Sequence, residues 1–475
     1  MKIALLVFLA HFLLSCSSTK VGEIVPPKKE SRIVALKEAY LYGYPLVTME
    51  MARRVLTNVK KPTSEGLAPL NQFSHRSIIP DPQIKELLNP NLDVLYSSAF
   101  LDLSQGPLIL TVPPPQERYY MIQVMNGWTD IISSIGTRMD LDRERSYFIH
   151  GPQWRGIPPK HMKVIASSTN LNWILGRTYV KDKTDLKKAT AFMNQYRLRP
   201  IRNSGIDRIH PEYLNKTPDS LVEKMTGEEF FNLLNTVMLK NFPYREDRPQ
   251  LEKLAKIGVG SGLVFNVDNF TPEEQRFLSE LPQTVSLELT RAEKNDALLN
   301  GWDMNLDPRM GRFGTHYEFR ARIALTRLGM PLMEDAVFPE AKIDGDNEPL
   351  SGQHKYILHF NKGQDPPSRA LWSLTAYGAN QQLSGNAFNQ YKIDNKMELL
   401  YNGDGSLDIY IQNEAPAGNR KKNWLPTPRG LFTIQSRIYW PESRMLNGQW
   451  AMPVILKNKE VTLPSTAESE IRFAP

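Results

Sequence analysis

One carboxylate and one guanidinium stand out in this sequence as groups able to do chemistry. Asp93 lies in Asn89-Pro-Asn-Leu-Asp-Val-Leu-Tyr96, and Arg437 lies with Tyr439 in the alternating run 431–440. A carboxylate can act as general acid or base, and an arginine fork grips carboxylate or phosphate. Tyr439, two residues beyond Arg437, shares its face of a strand. Around them stand amides and aromatics with polar tips: Asn91, Tyr96, Tyr119, Gln123, Asn126 and Trp128, then Trp372, Asn423 and Trp424. Such side chains suit sugar rings and anionic groups. The same residues support a plainer reading, in which Trp128, Trp372 and Trp424 anchor cores and the amides close turns. Should the polar face of 431–440 meet another domain, Arg437 pairs with an acid such as Asp93.

Other chemistries find less support. The chain has no His-Glu-x-x-His and a single cysteine, so no zinc site is expected. His354 and His359 are five apart, on opposite faces of a strand. Asn91 and Asp93 with backbone carbonyls could hold a hard cation, but an Asx turn explains them equally. Asp93 and Asp102 are the acids available for glycoside cleavage, whose geometry depends on their separation. Gly258, Gly260 and Gly262 lack the Gly-Lys-Ser/Thr of a P-loop, and Ser261 lacks the spacing of a nucleophile elbow. They read as a flexible turn. No cofactor is expected.

The elements that must position these residues fall into three groups. Before residue 182 the chain carries short alternating runs punctuated by Pro and Gly, at 94–103, 107–115, 119–128, 146–150, 162–167 and 173–180. In the third, Tyr119, Met121, Gln123 and Met125 face one way; Tyr120, Ile122, Val124, Asn126 and Trp128 face the other. Such spacing predicts a β-sandwich or jelly roll. From 182 to 335 the period becomes helical, with capping boxes at Thr226-Gly-Glu-Glu229 and Thr271-Pro-Glu-Glu274; Pro282 is expected to interrupt the second helix. After 336 alternation returns, at 354–360, 370–377, 407–412 and 431–440. In the last run Phe432, Ile434, Ile438 and Trp440 form the apolar row. An amphipathic helix over 32–56, capped by Ser31 and broken or kinked at Tyr42-Gly-Tyr-Pro45, opens the first domain. The fold class is therefore α+β and mainly β. Two sandwich or jelly-roll-like domains, 31–181 and 336–475, flank a helical segment at 182–335.

Composition sets the outer bounds. The chain has 475 residues, 41% hydrophobic and 23% charged, which are the proportions of a globular protein of more than one domain. Its formal charge of +7 is spread among acids; the longest basic run is Arg420-Lys421-Lys422. With no nucleic-acid-binding motif, such a partner is not expected. The one cysteine sits in Leu13-Leu14-Ser15-Cys16, after a basic Met1-Lys2 and an apolar stretch at 3–14 too short to span a bilayer. This resembles the lipobox of bacterial lipoproteins. The resemblance implies a signal peptide at 1–15, lipidation of Cys16, a tether at 16–30 and membrane attachment through the lipid. With Ser17 following, it implies an outer-membrane protein facing the periplasm.

Two motif sets carry a further resemblance. The first is Asn91-x-Asp93-x-Leu95-Tyr96, Leu101-Asp102-Leu103, Tyr119-Tyr120, Trp128 and Gly176-Arg177-Thr178. The second is Trp372-Ser-Leu-Thr-x-Tyr377, Asn402-x-Asp404-Gly-Ser-Leu407, Asn423-Trp-Leu-Pro426 and Arg437-x-Tyr439-Trp-Pro441. In this order they resemble the paired domains of unknown function 1254 and 1214, over residues 65–460. The resemblance implies envelope or secreted proteins with two β-sandwich-like domains and a helical segment between. Phe338 departs from it by standing where a tyrosine is expected. The functional expectation is a lipid-anchored envelope protein that binds or hydrolyses a glycan or lipid-linked anion in an inter-domain cleft. The hydrolase would use Asp93 as acid/base and Arg437 for the anion. The alternative is a non-catalytic binding, assembly or scaffold protein.

Overall fold

The computed structural model describes residues 29–85, 87–139, 143–200, 209–294 and 298–458. The expected signal peptide, Cys16 and nearly all of the expected tether lie outside them. Two β-sandwiches and a helical layer make up the described chain. In the first sandwich a five-stranded sheet runs in the order Ser74–Arg76, Val94–Asp102, Leu171–Tyr179, Tyr120–Asn126, Ile131–Gly136. It faces a four-stranded sheet of Lys163–Ala166, Arg145–His150, Leu108–Val112 and Arg197–Pro200. Leu101, Ile122, Val124 and Ile174 of one meet Leu110, Tyr147 and Ile149 of the other. The helix Leu186–Met193 also packs into this core through Ala189, Phe192 and Met193. The first sandwich thus extends to residue 200, past the expected boundary at 181.

The second sandwich is built the same way. One sheet runs Trp302–Asp303, Glu340–Ala341, Phe432–Pro441, Ser368–Gly378, Lys392–Asp394, and the other Trp424–Pro426, Leu407–Gln412, Tyr356–Phe360, Ile455–Lys457. Phe432, Ile434 and Ile438 enter its core with Leu358, Ile409 and Ile411, as the alternation predicts. Trp440 does not join that row. Its φ of 50° takes it out of the extended conformation, and it packs beside Tyr439. Trp302–Asp303 shows that the middle segment is not purely helical: it lends an edge strand to the second domain.

The helix Lys29–Leu56 starts two residues before the expected cap Ser31 and runs unbroken through Gly43 and Pro45. It is the centre of the helical layer, touching Pro218–Glu223, Gly227–Met238, Arg248–Ala255, Pro272–Lys294 and Tyr317–Thr326. Gly43 permits a close crossing with Gly227–Met238, since a Cβ there would fall 2.3 Å from Leu234 Cδ2. Tyr40, Tyr42 and Tyr44 are buried in this core. The last turns, Met49 and Ala52, cover the outer face of the five-stranded sheet at Phe100, Met125 and Trp173. Both capping boxes form: Glu229 N–H donates to Thr226 Oγ1 at 3.2 Å, and Thr271 N–H donates to Glu274 Oε2 at 2.8 Å. Pro282 sits inside the continuous helix Pro272–Lys294. Neither proline interrupts its helix because packing against the layer outweighs the lost backbone bond.

Candidate inter-domain binding site

The site begins with a turn. Asn91 Oδ1 accepts the Asp93 N–H at 2.8 Å, the Asx turn that the sequence allows. This closes the loop before the strand Val94–Asp102 and pushes residues 89–93 against the second domain. The surface it meets is the polar face of the sheet containing Ser368–Gly378 and Phe432–Pro441. Register places Ser373 beside Arg437 and Asp394, and Thr375 beside Lys392. With Tyr377 and Tyr439 these residues share the face opposite the apolar core.

Each polar group of the loop finds a partner there. Asp93 is fully buried. One of its oxygens lies 2.9 Å from Lys392 Nζ, and the other accepts from Ser373 Oγ at 2.5 Å. Lys392 Nζ also lies 3.0 Å from Asp394. Tyr377 OH donates to the Pro90 carbonyl at 2.7 Å, and Asn91 Nδ2 donates to Tyr439 OH at 2.8 Å. Arg437 donates to the Asn89 carbonyl at 2.9 Å and to Tyr377 OH at 2.8 Å. Arg437 therefore faces the other domain as expected, but its direct partners are a carbonyl, a phenol and the Thr375 hydroxyl at 3.4 Å. The cation bound to Asp93 is Lys392. Burial works against the Lys392 charge, but Asp93 and Asp394 hold its pKa well above the ordinary lysine value. With both Asp93 oxygens engaged and no exposed surface, the arrangement joins domains and leaves Asp93 no free edge for proton transfer.

Above this pair opens a cavity of about 1010 Å³ between the two sandwiches. Lys392 and Asp394 reach its floor. Its walls are mainly apolar, with Ile79, Pro80, Leu92, Ala387, Tyr391 and Met397; Lys181, Asp182 and Lys183 stand on its exposed rim, and Asp81 also lines it. Beside the floor, the buried Tyr179 hydroxyl has no hydrogen-bond partner. Burial, then the neighbouring Asp394, pushes its pKa well above the ordinary phenol value.

The structure gathers some of the sequence-derived candidates and scatters the rest. Asn91, Asp93, Arg437, Tyr439 and Tyr119 meet at the domain junction; the Tyr119 and Tyr439 rings lie 5.6 Å apart, and Tyr119 OH donates to the Asp335 carbonyl at 2.9 Å. Phe338 packs edge-on against Tyr439 at 5.9 Å, which gives the missing hydroxyl an apolar replacement. Tyr96 lines a separate 280 Å³ cavity across the loop from the main one. The remaining candidates do not reach the cleft, which corrects the expectation of a single ligand surface. Trp128 is buried in the helical core, its indole donating to the Phe242 carbonyl. Asn126 accepts the Trp128 and Asp130 N–H groups and closes the turn after its strand. Trp372 belongs to the second sandwich core. Asn423 bonds the Leu400 and Asp408 carbonyls. Trp424 acts one layer back: Phe388 packs on its ring at 5.0 Å, and Gln390 donates to its carbonyl at 2.6 Å, propping the cavity wall. Sequence reasoning missed Lys392, Asp394, Lys181 and Lys183. The available signal was Lys392-Ile-Asp394, which puts opposite charges on one face of a strand.

Residues 70–200 match the family described as Protein of unknown function (DUF1254), and residues 335–443 match Protein of unknown function (DUF1214). The chain belongs to the DUF1254–DUF1214 family. Asp93 lies in the first matched region and Lys392 in the second, so the buried ion pair joins the two family domains. The fold of this DUF1254–DUF1214 chain is shared with the VPA0106 protein from Vibrio parahaemolyticus, at a TM-score of 0.68 and 21% identity over 90% of this chain and 100% of that one. A protein from Burkholderia cenocepacia aligns with a TM-score of 0.42 and 10% identity, over 90% of this chain and 94% of that one. No curated protein matches the sequence.

Proposed function

We propose that this chain is a lipid-anchored envelope protein that binds a lipid-linked anion or similar anionic amphiphile in the inter-domain cavity. The observation that carries the reading is the cavity's chemistry. Apolar walls enclose enough space for an alkyl chain, and Lys181 and Lys183, which stand on the rim with Asp182 between them, suit an anionic head group, whereas the floor Lys392 is already paired with Asp93 and Asp394. The sealed Asp93 favours binding over hydrolysis. Few aromatic faces line the space, which favours a chain over a sugar ring.

Binding of a fluorescent fatty acid to the chain from Ser17 onward tests this. Lys181→Glu with Lys183→Glu should weaken it about tenfold, a loss of roughly 1.4 kcal/mol. Binding of an uncharged alkyl probe should stay unchanged, and Ala387→Trp should abolish both. Fatty-acid affinity left unchanged by the charge reversal would remove the anion from the proposal. Incorporation of labelled palmitate, lost in Cys16→Ser, tests the anchor separately.

A further inference from the structure

The glycines 258, 260 and 262 form no flexible turn. Asn235, buried on the helix Gly227–Met238, donates to the Gly258 and Leu263 carbonyls, both at 2.9 Å, and accepts the Gly260 N–H at 2.8 Å. Asn232 accepts the Phe265 N–H and donates to its carbonyl, both at 2.9 Å. Phe265 is buried in the helical core. Gly258 and Gly262 take φ of 82° and 73°, which other residues rarely adopt. The backbone is thus fixed from both ends, yet it presents apolar side chains to water. Val264 is 80% exposed and Leu263 42%; Leu239, lying over Gly262, is 54% exposed. Exposed Lys240 and Lys256 flank them. A loop braced this firmly to hold a contiguous apolar tip outward is a contact device.

The N-terminal end of the helix Lys29–Leu56 bears on what this tip touches. Arg32 donates to the Asn269 carbonyl, and Val264 is five residues from Asn269. At about 3.6 Å per residue those five span at most roughly 18 Å. The first turn of that helix therefore lies close to this tip. The stretch from Cys16 to Lys29 spans up to roughly 45 Å when extended, enough to let a lipid at Cys16 and the tip reach one surface. We propose that Leu239, Leu263 and Val264 insert into a lipid bilayer surface, with Lys240 and Lys256 over anionic head groups. This orients the protein on the membrane and goes beyond ligand binding in the cavity.

The test uses the chain from Ser17 onward, which contains no cysteine. A nitrobenzoxadiazole dye is attached at Val264→Cys, or at Glu398→Cys as an exposed control on the second domain. The chain is tethered by its N-terminus to phosphatidylethanolamine–phosphatidylglycerol vesicles, so the result does not depend on lipidation of Cys16 or on cavity binding. The dye at 264 should shift to the blue and become at least fivefold less accessible to an aqueous quencher, while the dye at 398 stays accessible. Leu239→Ser with Leu263→Ser should reverse the protection. A dye at 264 as quenchable as the control overturns the proposal. So does a blue shift that appears without vesicles, which would assign the tip to a second copy of the chain.

Discussion

Asp93 and Lys392 show what burial does to a side chain with catalytic potential. A carboxylate enclosed without solvent must be paired, and once paired it has little freedom to exchange protons. Asp93→Asn should cost about 3 kcal/mol of stability in urea unfolding, because Lys392 then keeps only Asp394. Adding Lys392→Met to that variant should recover part of the loss, since the uncompensated charge is gone. A cost below about 1 kcal/mol for Asp93→Asn would show that the pair does not hold the domains together. The Asx turn at Asn91 was legible in the sequence because its donor and acceptor are two residues apart. Lys392 was not, because nothing local at position 392 reveals a partner 299 residues away.

At the level of elements, alternation revealed which way strands face but not what they face. The rows of Tyr120–Asn126 and Phe432–Pro441 sort as the sequence predicts, up to Trp440, where positive φ ends the pattern. Helix continuity was less legible, because Pro45 and Pro282 weaken their helices locally while packing across the layer restores them. Short helices such as Arg248–Ala255 carry too few turns to show a period. The edge strand Ser74–Arg76 has its own sensitivity. Its His75 pairs with Ser97 of the neighbouring strand, ring nitrogen to hydroxyl at 2.8 Å. Burial lowers the His75 pKa to about 4 from 6.5. The fold therefore disfavours the charged ring. Its stabilising contribution is intact above pH 6.5 and is lost as pH falls from 6.5 towards 4. Melting temperatures measured across that window should fall less steeply for His75→Gln than for the unaltered protein. Parallel curves would place the acid sensitivity elsewhere.

For the whole molecule, the two family regions are not two independent bodies. The match at 335–443 leaves out Trp302–Asp303, which pairs with Glu340–Ala341, and Ile455–Lys457, which pairs with Tyr356–Phe360. It also leaves out the loop that covers Lys392 and Arg437. A fragment of residues 335–443 would expose two unpaired strand edges and a polar face built for a partner. It should elute as aggregates in size-exclusion chromatography, whereas residues 298–458 should recover soluble material; equal solubility would deny the edge strands a role. Synthesis meets the same interdependence as a matter of time. The first sandwich is complete once residue 200 has emerged, but the pocket waiting for Asp93 does not exist until much later. Through that interval an acid destined for full burial stays in water, and the nascent chain carries an open seam that only its last quarter can close.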